Sequence, residues 1–319
     1  MATRVALALG SGGARGYAHI GVINELQERG HQIVSVAGSS MGAVVGGVFA
    51  AGRLDSYTEW VLGLSQRGVL RQLDPALSRG GFIRAERVLT RMAEHVGDHR
   101  IEELPVRFTA TAVDLLSGRE VWLDQGPLDR AIRASIAIPG IVTPAVVNGR
   151  LLVDGGVLNP VPVAATASSH ADLVVAVSLQ GHRGRRAATP TGDSSDRRPV
   201  AEWWDRFRTN AAEVLASETM ETFTQRLTLR RGSTTIDPRS DESEPESMPS
   251  IGMGEVLALS LEAAQSALTR YALAAHAPDI LITVPKDACR TGDFHKAAEL
   301  IELGRHLARH ALDGMIESN

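Results

Sequence analysis

Residues 33–50 read IVSVAGSSMGAVVGGVFA, and this stretch decides the fold. Its first five residues form an apolar run of strand length, stopped by Gly38. Residues 43–51 are small and apolar and read as a buried helix. Between them lies Gly38-Ser39-Ser40-Met41-Gly42, a G-x-S-x-G on a strand-to-helix turn, the pattern that lifts a serine out on a sharp elbow. So tight a turn leaves no room for side chains two residues either side of the serine, hence glycine at both flanks. The helix opening there aims free N–H groups and its positive dipole end at Ser40 Oγ, which favours developing negative charge. The alternative is a small-residue turn without chemistry; the strand–turn–helix setting favours Ser40 as a nucleophile.

Toward the N-terminus, residues 4–9 form a short apolar strand, and residues 14–29 a helix that carries His19, Ile20, Val22, Ile23 and Leu26 and stops at Gly30. Strand, helix, strand, helix in this order predicts an α/β fold with a largely parallel sheet. Between the first strand and helix stands GSGGARG, residues 10–16. Its glycines let backbone N–H groups line up on an anion, either a nucleotide diphosphate or the oxyanion of an acyl transfer. A dinucleotide site needs an acidic residue at the end of the second strand and a third glycine at the spacing where Arg15 stands. Strand two has no acid and ends in Ser40, so the oxyanion reading fits better.

Toward the C-terminus, residues 53–104 read as mostly helical with a break at Gly80-Gly81. Residues 106–123 read as two strands joined at Ser117-Gly118, and a hairpin turns at Asn148-Gly149. The hairpin leads to Asp154-Gly155-Gly156, an aspartate at a strand end. By itself this is more often a turn cap than a catalytic group. Further strands are expected at 173–179 and 280–284, and a helix over 293–316. Residues 181–200 and 231–250 are polar and read as surface loops. A helix between them carries Trp203, Trp204 and Phe207, which either pack on the body or dip into a membrane interface. Pro139, Ile141, Val142, Pro144 and Phe82 are candidates for an apolar acyl channel, with ordinary packing as the alternative. His19, on an apolar helix face, reads as a packing residue. His170 is the residue that a Ser…Asp…His order would nominate.

The 319 residues are 44% hydrophobic, enough for a sizeable core, and the net charge of −4 gives no field that would attract nucleic acid. One cysteine, Cys289, excludes an intrachain disulfide and a zinc site built on several cysteines. Residues 5–9 are too few for a signal-peptide core, and no run reaches the length of a membrane span, so the expected location is cytoplasmic.

Taken together, GSGGARG (10–16), GSSMG (38–42) and DGG (154–156), in this order and spacing, resemble the patatin-like phospholipases of the bacterial and neuropathy-target-esterase type. YAHIGVINEL (17–26) is similar to that family's first helix. ASIAIPGIVTPAVVNGRLLVDGGVLNPVPV (134–163) is similar to its block around the catalytic aspartate, and DFHKAAELIELG (293–304) to its closing helix. The resemblance implies a single domain over residues 1–319, a three-layer α/β/α sandwich with a mostly parallel central sheet. It implies a Ser–Asp dyad, with Ser40 as nucleophile and Asp154 as general base within hydrogen-bond reach. Gly12 and Gly13 are implied as oxyanion donors and Arg15 as the brace of their loop. Ala14, Gly16 and Met41 complete the oxyanion and substrate-binding set. The family's usual run of glycines appears here as Ser11-Gly12-Gly13, and serine lacks glycine's conformational freedom. The implied reaction is hydrolysis of phospholipid or lysophospholipid esters through an acyl-enzyme, with no metal or organic cofactor. A general carboxylesterase or thioesterase, and a non-catalytic lipid-binding regulator, are the rival readings. The implied partner is a lipid or other acyl ester, with peripheral membrane contact and without nucleic acid; oligomeric state is not legible.

Overall fold

The computed structural model describes residues 2–65, 94–181 and 253–317. The chain divides into two compact units, and the fold below is that of the unit formed by Met1–Ser78, Phe82–Ala187 and Glu262–Asn319.

Apolar, β-branched runs form its strands. β1 (Arg4–Leu9), β2 (Gln32–Ser39), β3 (Arg107–Asp114), β7 (Leu173–Gly181) and β8 (Ile280–Pro285) pair in parallel, and β4 (Arg119–Leu123), β5 (Ala145–Val147) and β6 (Arg150–Asp154) add antiparallel pairings. The order along the sheet is β5-β6-β3-β2-β1-β7-β8, with β4 also on β3. The central strands are buried on both faces, which is why they read as continuous apolar runs. Val5, Leu7 and Leu9 of β1 join one core with residues of α1 (Ala18–Glu28), α2 (Met41–Ala50) and the closing α6 (Ala297–Glu317). Ala8 and Ala176 face the other way and pack with Val161, Val163 and Leu273 of α5 (Met253–Ala275). Helices flank a mostly parallel sheet, as expected.

Helices α1 and α6 meet backbone to backbone. A Cβ on Gly21 would collide with Ile301 C=O, and a Cβ on Gly304 with Ala18 C=O, so glycine is needed at both points of the crossing. Glu25, buried beside this contact, is held by Arg29 at 2.9 Å and Arg309 at 3.1 Å, while Arg29 also reaches Asp313 at 2.7 Å.

Expectation and structure differ in detail. The first turn after the glycine loop is a 3-10 turn, Gly13–Tyr17, and the α-helix starts only at Ala18. In the segment 53–104, α3 (Leu54–Leu62) and a 3-10 turn at Ile101–Glu103 are seen, while residues 66–93 lie outside the described residues. Gly181 ends β7. The remainder of the loop at 181–200, the loop at 231–250, the helix with Trp203, Trp204 and Phe207, and Phe82 also lie outside them. Among the described residues no helix is long and apolar enough to cross a membrane.

Candidate active site

The chain steps from β1 to β2 to β3 in one direction along the sheet, then returns to β7 on the far side of β1. The switch point therefore lies between β1 and β7, at their C-terminal ends, where open α/β sheets bind ligands. The GSGGARG loop leaves β1 there. Gly10 N–H donates to Val177 C=O at 2.9 Å, and Ser11 N–H to Pro160 C=O at 2.8 Å.

Ser40 stands one strand over, at the end of β2. Its φ of 55° and ψ of −121° put a non-glycine residue in a sparsely populated region, a conformation that persists only where its surroundings over-determine it. Those surroundings are visible. A Cβ on Gly38 would collide with Gly42 C=O, and one on Gly42 with Leu9 C=O, so the elbow and β1 touch through backbone alone. Ser40 N–H donates to the fully buried Ser135 Oγ at 2.9 Å, at the end of α4 (Leu128–Ser135).

Asp154 arrives by a different route, set by β3. Ala110 of β3 pairs with Gly38 and with Leu123, so β2 and β4 lie on opposite edges. Ala112 pairs with Val121 of β4 and Asp154 of β6, so β6 lies on the β2 edge. Ser39 is opposite Thr111, and Asp154 opposite the next residue. The end of β6 thus abuts the end of β2. Gly155 is needed for this approach, because a Cβ would collide with Thr111 C=O and Oγ1.

The result is a buried pair. Ser40 Oγ donates to Asp154 Oδ2 at 2.5 Å, and Gly156 N–H donates to Oδ1 at 2.7 Å. Burial pushes the Asp154 carboxyl up to about 6, against the downward pull of the hydrogen bonds from Ser40 and Gly156.

Of the glycine-loop residues, Ala14 N–H is engaged by Thr291 C=O at 2.9 Å and anchors the loop. Among the described residues, the N–H groups of Gly12 and Gly13 have no acceptor. Gly13 has φ of 59°, whereas Ser11 is outside the left-handed region, so the serine in place of a glycine meets no backbone penalty. Arg15, 5% exposed, donates through Nε to Gly12 C=O at 3.2 Å and lies 3.4 Å from Lys286 C=O. Gly16 gives way to Met41, whose Cβ and Cγ occupy the space a side chain would need.

His19 is fully buried, with Nε2 2.8 Å from Gly10 C=O, so that nitrogen carries the proton. Burial holds its imidazole down to about 4, against the hydrogen bond to Gly10. It packs and braces the loop. His170 follows the turn at Val163–Thr166, two residues before Asp172, whose N–H donates to Arg4 C=O at 2.8 Å. It therefore lies at the N-terminal end of the sheet, opposite Ser40, and a Ser…Asp…His order through His170 is ruled out by the topology. Val142 is buried, Ile141 and Pro144 half-buried and Pro139 exposed.

Sequence reasoning missed Ser135. It sits where the apolar stripe Leu128, Ala131, Ile132 would place another apolar residue, and a serine in that register is the available signal. Pro160 and Thr291 act through carbonyls and leave no such trace.

Fold and elbow place the chain among the α/β proteins that carry a serine between a parallel strand and a helix. Known proteins narrow this. The family model described as patatin-like phospholipase matches residues 7–167. An NTE family protein of Mycobacterium tuberculosis is 46% identical over 97% of this chain and 91% of its own length. A protein of Emericella nidulans named lysophospholipase nte1 is 30% identical over 55% of this chain and 12% of its own. Among solved structures, VipD from Legionella pneumophila aligns over 98% of this chain and 67% of its own at 15% identity, with a TM-score of 0.42. The chain belongs to the patatin-like phospholipase family, and so to the lipid acyl hydrolases.

Proposed function

We propose that the protein hydrolyses carboxylic esters of phospholipids or lysophospholipids, with Ser40 as nucleophile and Asp154 as general base. The observation that supports this most is the buried 2.5 Å hydrogen bond from Ser40 Oγ to Asp154 Oδ2. Ser40 Oγ attacks the ester carbonyl carbon while its proton passes to Asp154. A carboxylate raised from 3.8 to about 6 takes that proton more readily than an ordinary one. Negative charge gathers on the former carbonyl oxygen, where the N–H groups of Gly12, Gly13 and Met41 are the candidate donors. Collapse expels the alcohol, which takes the proton back from Asp154, and leaves the acyl group on Ser40. Water then attacks the acyl-enzyme carbonyl while Asp154 takes its proton; collapse breaks the bond to Ser40 Oγ, which regains that proton from Asp154 as the fatty acid leaves. Arg15, Ser135 and His19 hold the loop and elbow and touch no reacting atom. Lysophospholipids are favoured as substrates by the name of the Emericella relative.

The test is turnover of lysophosphatidylcholine beside a short-chain nitrophenyl ester. Ser40→Ala is expected to abolish both, and Asp154→Asn to slow both by about 10²–10⁴-fold, the range of general acid–base assistance. Full turnover by Ser40→Ala overturns the reading; turnover of the soluble ester alone removes the phospholipid assignment.

A further inference from the structure

Several of the most exposed apolar side chains gather on two hairpin tips beside the site. Leu116 is 82% exposed, Val146 73% and Leu115 51%; Trp122, 48% exposed, lies further along β4, opposite Thr111. The tips come together because β6 continues along the edge of β3: Asp114 pairs with Leu152, and Leu115 N–H donates to Leu151 C=O at 2.9 Å. Both the β3–β4 and β5–β6 turns thus leave the sheet at the end that carries Ser40. Leu115 stands three residues past Ala112, the partner of Asp154, or about 10 Å along the strand.

Turns are ordinarily built from Gly, Asn, Asp and Ser. The β5–β6 turn obeys, with Asn148 and Gly149 both at positive φ. The β3–β4 turn instead sets Leu115 and Leu116 ahead of Ser117-Gly118. A lone exposed leucine needs no explanation, but several apolar side chains on adjoining tips form a patch. Exposed arginines flank it, Arg119 after one turn and Arg150 after the other. Two carboxylates share this end and keep their charge: Asp114, opposite Arg119 in the register and within the field of Arg150, and Glu120. Asp114 Oδ1 accepts from the N–H groups of Leu116 at 3.1 Å and Ser117 at 3.4 Å, and Glu120 Oε1 accepts from Trp122 Nε1 at 3.0 Å and Asn159 Nδ2 at 2.9 Å. Apolar tips between cations match an interface of acyl chains under anionic headgroups.

We propose that these tips dock on an anionic phospholipid bilayer, with Leu115, Leu116 and Val146 in the interfacial layer and Arg119 and Arg150 on headgroup phosphates. Docking turns the sheet end that carries Ser40 toward the lipid. That consequence rests on the proposed function; the docking itself does not.

The test uses the full chain carrying Ser40→Ala, sedimented with vesicles of phosphatidylcholine alone or mixed equally with phosphatidylglycerol. Binding is expected to the mixed vesicles. Leu116→Asp with Val146→Asp is expected to weaken it by at least about tenfold, as the loss of two buried aliphatic side chains implies. Arg119→Gln with Arg150→Gln is expected to weaken binding to the mixed vesicles and flatten its salt dependence. With Ser40 intact, the apolar pair of substitutions is expected to leave short-chain ester turnover and melting temperature unchanged. Absence of vesicle binding, or equal binding by the aspartate variant, overturns the proposal. So does a concentration-dependent dimer that the aspartate variant loses, which would give the patch to a second copy. A chain that binds vesicles but fails on the soluble ester would retain the docking and sink the proposed function.

Discussion

At the scale of single residues, Asp154 ties activity and stability to the same proton. In the proposed mechanism deprotonated Asp154 is the base, so kcat/KM is expected to climb with pH through about 6 and then level, as a pH–rate profile on a soluble ester would show. Stability has the opposite sign. Folding raises this carboxyl from 3.8 to about 6, so the native chain holds the proton more tightly than the unfolded one. The resulting stabilisation is complete below about pH 3.8 and is lost as the pH rises through about 6, a difference of about 3 kcal/mol. Asp154→Asn keeps an acceptor for Gly156 N–H and never ionises. It is expected to melt higher than the unsubstituted chain at pH 8, with the gap closing toward pH 4; a lower melting temperature at pH 8 contradicts this. His19 titrates alike in both chains and cancels from the comparison. Ser135→Ala leaves the Ser40 N–H without its acceptor, at about 1–3 kcal/mol. It is expected to lower kcat more than it raises KM, because it loosens the elbow that carries Ser40. Ser135→Thr, which keeps the hydroxyl, tests whether that loss follows the hydrogen bond.

At the scale of elements, the elbow was legible because its demands are local. Strand run, flanking glycines and small-residue helix are all written in consecutive residues. The partnership of Ser40 with Asp154 was not legible from spacing, since 114 residues separate them. It depends on β3 pairing with β2 along its first half and with β6 beyond, on one edge, which no local pattern encodes. In the sequence only the family resemblance points to it. Asp154 by itself looked like a turn cap, and it does accept a bond from Gly156 N–H as a cap would. The α-helix starts later than the sequence pattern implies because the glycine loop tightens into a 3-10 turn against Thr291, a contact nearly 280 residues away in sequence. The α1–α6 crossing is equally non-local. Gly304→Ala drives a methyl into Ala18 C=O and is expected to destabilise the fold by about 1–3 kcal/mol, seen in urea denaturation. Gly314→Ala, with open space around it on the same helix, is expected to be neutral or slightly stabilising.

At the scale of the whole molecule, sheet order does the organising. One switch point between β1 and β7 gathers the glycine loop, the elbow and the end of β6 at a single edge, and the hairpin tips project from that same edge. Family membership makes the chain a lipid acyl hydrolase. The central claim is that Ser40 is the nucleophile and Asp154 its base, and the most direct measurement is fluorophosphonate labelling followed by mass spectrometry of the modified peptide. The expected result is one adduct, on Ser40, absent from Ser40→Ala and formed much more slowly in Asp154→Asn. An adduct on another residue, or undiminished labelling of Ser40→Ala, would contradict it.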